Sequence, residues 1–126
     1  MKKLLLTVFA AVILTAIAPK IFSQSAVYFC TETGAYGFAY GYSYNTALDK
    51  ALDACYNYGG SNPVLITSTE YRGYGAIALG KDINGRRVIG AAVGFTSLSE
   101  AKREAIRTCE NYGGYDVYIS DTWHDR

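Results

Sequence analysis

The amino-acid sequence predicts an α+β domain in which a ββαβ unit occurs twice, forming a mixed, mostly antiparallel six-stranded sheet with two helices on one face. Three observations carry this. Cys55-Tyr56-Asn57-Tyr58-Gly59-Gly60 returns 54 residues later as Cys109-Glu110-Asn111-Tyr112-Gly113-Gly114, and seven of the sixteen positions aligned from Asn45 and Ser99 are identical. That is the signature of a duplicated structural unit. Each copy also has helical spacing of apolar residues ahead of this motif, and an alternating strand ahead of the helix.

The repeats are read as residues 26–70 and 74–121 of one domain spanning 26–126. Ala26 to Cys30 reads as a first strand, Thr31-Glu32-Thr33-Gly34 as a turn and Ala35 to Ser43 as a second strand. In that strand Tyr36, Phe38, Tyr40 and Tyr42 point one way and Gly37, Ala39, Gly41 and Ser43 the other. The next helix has one apolar face in Ala47, Leu48, Ala51, Leu52 and Cys55, with Asn45 or Thr46 as cap and Gly59 as stop. Pro63 opens a third strand, Val64 to Thr69, where a missing N–H costs little.

The second copy places strands at Tyr74–Gly80 and Val88–Thr96 around an Asn84-Gly85 hairpin turn. Ser97-Leu98-Ser99-Glu100 is a capping box for a helix whose stripe is Ala101, Ala105, Ile106, Cys109 and Tyr112. Asp116 to Asp121 is the sixth strand and Thr122 to Arg126 a tail. Copy laid on copy, Tyr36, Phe38, Tyr40 and Tyr42 fall on Ile89, Ala91, Val93 and Phe95, and Gly37, Ala39, Gly41 and Ser43 on Gly90, Ala92, Gly94 and Thr96. The small helix residues leave room for bulky partners, so the helices are expected over the bulky face. The Gly/Ala face is then open, with Tyr28 and Tyr118 standing on it. Charges that switch sign between the helices suggest antiparallel neighbours pairing Asp49 with Arg107 and Asp53 with Arg103.

Residues 1–25 read as an export signal. Lys2-Lys3 precede an apolar run from Leu4 to Ala18, and Ser23-Gln24-Ser25 offers a small-x-small site before Ala26. A cut after Ala18 fits the small-residue rule but leaves Pro19 first. A retained anchor is the competing reading, and fifteen residues are short for a bilayer span. The expected location is periplasmic or extracellular, with no stable membrane span after processing. The processed chain has nine basic and eleven acidic residues, so nothing favours nucleic acid as a partner. Twelve tyrosines are the compositional oddity, explained by a Tyr-rich sheet or by a recognition face.

Gly41-Tyr42-Ser43-Tyr44-Asn45, Tyr74-Gly75-Ala76-Ile77-Ala78 and the Ala-rich helices ending in Cys55 and Cys109 resemble an uncharacterised family of small secreted bacterial proteins, domain of unknown function 4189. The resemblance covers nearly the whole processed chain and implies secretion, duplication and no assigned activity. It also implies a second cysteine after each helix, paired with the helix cysteine. This chain has none between Gly59 and Val64 or between Gly113 and Val117.

Residue types that carry chemistry are sparse. Three cysteines cannot all pair within one molecule, and no disulfide is assigned among Cys30, Cys55 and Cys109. Cys55 and Cys109 are expected to be buried and unpaired, and Cys30 to lie on the open face with Tyr28. A nucleophilic Cys30 needs a base, and the one histidine, His124, falls in the tail. There is no CxxC or histidine cluster for a metal, the strand glycines do not open a helix as a dinucleotide loop must, and Asp49/Asp53 and Glu100/Glu104 are ordinary helix surface. No cofactor and no catalytic residue is assigned.

The function expected is an exported non-catalytic binding or interaction module, such as an inhibitor or a surface protein, with an unknown protein or surface ligand as partner. Its binding face is expected to be Tyr28 and Tyr118 with Gly37, Ala39, Gly41, Gly90, Ala92 and Gly94. The chain is expected to be a monomer or weak homo-oligomer. The competing readings are a small secreted enzyme using Cys30 or His124, and an envelope component that self-associates through the Gly/Ala face.

Overall fold

The computed structural model describes Gln24 to Arg126. The expected export segment falls on residues 1–23, outside the described residues, apart from its last two positions. The order is β1 (Gln24–Phe29), β2 (Tyr36–Tyr42), α1 (Tyr44–Asn57), β3 (Val64–Thr69), then β4 (Gly73–Lys81), β5 (Arg87–Phe95), α2 (Leu98–Asn111), β6 (Tyr115–Asp125). The α+β class and the duplicated ββαβ unit are both present. The strands divide into two antiparallel three-stranded sheets, ordered β2-β1-β3 and β5-β4-β6, instead of the one mixed sheet expected. In each copy the first strand takes both partners from its own unit, so each repeat completes its own sheet.

The facing of the helices is the reverse of the expectation. Ala47 and Ala51 of α1 pack on Ala26 and Ala39, and Ala101, Ala105 and Cys109 of α2 pack on Ala76, Ala78 and Ala92. A Cβ on Gly37 would stand 2.3 Å from the Ala51 carbonyl oxygen, and one on Gly90 would stand 2.1 Å from that of Ala105. Small residues on both sides let helix backbone settle directly onto strand backbone. The bulky faces then cover each other. Val27 and Phe29 of one sheet meet Ile77, Leu79, Ile89 and Trp123 of the other, with Tyr36, Phe38, Ala91 and Val93 around them. The layers run helix, sheet, sheet, helix, and the apolar filling lies between the sheets.

In β2 and β5 the strand alternation is broken once, at the same place in each copy. Gly41 and Gly94 have φ of +81° and +75° and sit where the pairing register shifts. Each is a bulge glycine in a conformation that side chains disfavour. The bulge turns the following residue over: Phe95 packs with the α2 cluster, and Lys50 of α1 lies 5.1 Å from the Tyr42 ring centroid. Neither residue shares the face of Phe38 and Val93, as plain alternation would have it.

The repeated Cys-x-Asn-Tyr-Gly-Gly is a helix stop. Gly60 N–H donates to Cys55 C=O (2.9 Å) and Gly59 N–H to Tyr56 C=O (3.0 Å), and Gly114 and Gly113 repeat this with Cys109 and Glu110 (3.0 and 2.9 Å). That is the Schellman pattern, with Gly59 and Gly113 at φ of +93° and +92°. The second glycine is needed as well, because its Cβ would fall 2.9 Å from Cys55 Sγ or 2.8 Å from Cys109 Sγ.

At the helix starts the copies differ. Ser97 accepts from Glu100 N–H at 3.2 Å, the first half of the capping box, and the Glu100 carboxylate accepts from the Ser97 and Thr96 hydroxyls at 3.2 and 3.0 Å. The first helix is capped at Ser43, not at Asn45 or Thr46, and its side chain makes no cap bond but meets Thr46 Oγ1 at 2.9 Å. The two helices lie on opposite outer faces, so the expected Asp49–Arg107 and Asp53–Arg103 pairs do not form. Arg107 pairs with Glu104 on its own helix.

Thr122 to Arg126 is no tail, since β6 runs on to Asp125. Its pairing with β4 shifts between the Asp121 and Ile119 partners, leaving Ser120 as the extra residue. Val117 and Ile119 therefore face α2, whereas beyond the bulge Trp123 enters the filling between the sheets. Trp123 stacks on Phe38 and Tyr40 at centroid distances of 4.9 and 5.6 Å.

Candidate functional site

The face expected to bind is closed. Gly37, Ala39, Gly90 and Ala92 lie buried beneath the helices, Gly94 touches Thr69 of β3, and Gly41 is an exposed bulge residue. Tyr28 does lie on the Gly/Ala side, but it is half-buried among Ala26, Ala47 and Ala51. Tyr118 is exposed; its neighbours Val117 and Ile119 face α2, so it points away from that side. The structure does not bring these residues together, and the self-association surface expected from the Gly/Ala face is equally covered.

The cysteines sit in two separate places. Cys109 packs under α2 and donates to the Val88 carbonyl at 3.5 Å; Cys55 and Cys30 pack with Ala35 beside the end of α1. All three are buried and free. Burial pushes the Cys55 and Cys109 thiols up. The Cys30 thiol is pulled down to about 7, first by the Thr33 side chain and then by backbone groups of Ser61, Thr33 and Glu32, with burial opposing them. Cys30 is not on an open face, and it is not near His124. It follows β1, whereas the indole beside His124 bonds Ser25 at the start of that strand. Five residues at ~3.3 Å each separate the two by roughly 16 Å. His124 stacks instead on Tyr74, ring centroids 3.9 Å apart.

A cleft of about 660 Å³ opens at the β1–β2 turn, lined by Thr33 to Phe38, Ala54 and Tyr58 of the first copy and Arg87 and Asp121 of the second. Four polar groups converge there. Tyr36 Oη donates to Asp121 Oδ2 at 2.6 Å, and Ser120 Oγ donates to the same oxygen at 3.0 Å. Arg87 Nη1 donates to the Gly34 carbonyl at 2.8 Å, and its guanidinium carbon lies 5.8 Å from the Tyr36 ring centroid. Gly34, at φ +79°, lets the Arg87 stem pass, since a Cβ there would be 3.3 Å from that of Arg87.

Burial, and then the Asp121 carboxylate, push the Tyr36 hydroxyl above the ordinary phenol range. It keeps its proton at neutral pH and acts as a fixed donor. The cleft therefore offers a cation, a carboxylate oriented by two hydroxyls, and the rings of Tyr36, Phe38 and Tyr58. Among the described residues, no group of three or more His, Cys, Asp or Glu is placed to hold a metal ion.

Sequence reasoning missed this site because its members come from both repeats and are 85 residues apart at the Tyr36–Asp121 bond. No local signal marked it, since every bulky position of β2 differs from its β5 counterpart and Tyr36 does not stand out among them.

A family model for a domain of unknown function, DUF4189, matches residues 24–124. No curated protein and no solved structure matches the chain.

Proposed function

We propose that this chain, which belongs to the DUF4189 family, is an exported binding module that takes a surface ligand or protein segment in the cleft between its two repeats. The observation that carries this is the convergence of Arg87 and the Tyr36–Asp121 pair in one aromatic-lined cavity. Binding clefts combine an apolar lining with a few placed polar groups. A ligand suited to it presents an acceptor to Arg87, a donor to Asp121 and a flat or ring-like body to Tyr58. Tyr36 with its proton held serves recognition at neutral pH better than proton transfer. The Lys2-Lys3 start and the apolar run after it support export to the periplasm or beyond.

Titration of ¹⁵N-labelled protein with envelope glycan fragments and short envelope peptides tests the reading. Shift changes are expected at residues 33–38, 54–58, 87 and 121, and Arg87→Ala should weaken binding by ~2- to 5-fold, the loss typical of an exposed charged contact. Shift changes confined to other surfaces, or an Arg87→Ala variant of unchanged affinity, would remove the cleft from consideration.

A further inference from the structure

We infer that export processing leaves Gln24, not Ala26, as the first residue of the secreted protein. The inference rests on the export reading and goes beyond it to a bond. The small-x-small pattern of Ser23-Gln24-Ser25 points to a cut before Ala26, but the fold needs the two residues that such a cut removes. Gln24 and Ser25 open β1, paired to Tyr42 and Tyr40 of β2, with Ser25 also paired to Thr69 of β3. Both are buried, at 4% and 1% exposure.

Ser25 has a specific duty. Its hydroxyl accepts from Trp123 Nε1 at 3.2 Å in a buried contact between β1 of the first sheet and β6 of the second. The indole cannot turn elsewhere easily, because it is stacked on Phe38 and lies over Gly75, where a Cβ would stand 2.1 Å from its ring. Without Ser25 its N–H is left buried and unpaired.

Independently, the family match begins at residue 24. Hydrolysis of the Ser23–Gln24 bond, with water as co-reactant, keeps small Ser23 directly before the cut, with Ile21 in place of the small residue two positions earlier, and it spares the whole of β1.

The test is the intact mass and N-terminal peptide of full-length protein expressed in a bacterial host and recovered from its periplasm or medium. A chain beginning at Gln24 is expected, with or without loss of ammonia through cyclisation of the terminal glutamine. A chain beginning at Ala26, or at any other residue, overturns the assignment. A chain retained inside the cell from Met1 overturns the export reading as well, so the two failures are distinguishable. In parallel, proteins released from a cleavable fusion to begin at Gln24 or at Ala26 should differ in melting midpoint by at least ~5 °C, or in whether they fold at all. Equal midpoints would contradict the role given to Ser25.

Discussion

The smallest unit of this fold is a glycine that admits another backbone. Gly37 and Gly90 lie against the helix backbones, and at Gly90 the three atoms nearest an added methyl group are all main chain. Gly90→Ala is expected to destabilise at the upper end of the ~1–3 kcal/mol seen for overpacked interiors. Gly41→Ala should cost about 1–2 kcal/mol from its positive φ alone, since nothing lies within 4 Å of the added carbon. Denaturant unfolding of both variants checks the order; a milder loss at Gly90 would mean the helix can lift away. Asp125 is the other residue to probe. It is buried at 4% exposure and its Oδ2 has no hydrogen-bond partner. Burial pushes its carboxyl above the ordinary range, opposed by the Gly41 backbone and by the charges of Arg72 and His124. The native state therefore holds this proton more tightly than the unfolded chain does. The stability it contributes is complete below the unfolded carboxyl pKa and is lost as pH rises through the folded one. Wild type measured against Asp125→Asn should lose stability as pH rises above the ordinary carboxylate range. A difference that does not vary with pH would refute the burial effect.

At the scale of elements, the two helices share a stop and differ at the start. Ser97→Ala removes a bond to Glu100 N–H and should destabilise by ~1 kcal/mol. Ser43 makes no cap bond, so Ser43→Ala should fall within ~0.5 kcal/mol of wild type. Thermal melts of the pair separate the two, and equal losses would show that Ser43 caps in solution. The capping box was legible because its partners are three residues apart. So was the Gly-Gly stop, whose hydrogen bonds are local. The bulges at Gly41 and Gly94 were not legible, because a bulge is defined by its partner strand. Without β1 and β4 beside them, β2 and β5 read as unbroken alternation, which put Tyr42 and Phe95 on the wrong side. The same blindness hid the bulge at Ser120 and turned the last turns of β6 into a supposed tail.

At the scale of the molecule, Trp123 joins the repeats. It bonds Ser25, stacks on Phe38 and fills the space over Gly75. Trp123→Ala is expected to cost about 3–5 kcal/mol, enough to unfold a marginal domain. Trp123→Phe keeps much of the stacking and should recover part of that loss. Circular dichroism melts of both variants decide it, and a Trp123→Ala protein that melts like wild type would place the cohesion of the sandwich elsewhere. The cleft with Arg87, Tyr36 and Asp121 belongs to this scale too, since neither repeat holds it alone. By itself the amino-acid sequence determined the duplication, the α+β class, the order of the elements and the helix stops. Each depends on periodicity or on hydrogen bonds between residues a few positions apart. Which face the helices cover, how the strands divide between sheets, and where Arg87 meets the Tyr36–Asp121 pair were decided only by the tertiary structure. Two bulky faces and two Gly/Ala faces can be matched in more than one way. The choice rests on which pairing lets backbones approach and large side chains fill the space between sheets, and that is a property of the assembled layers.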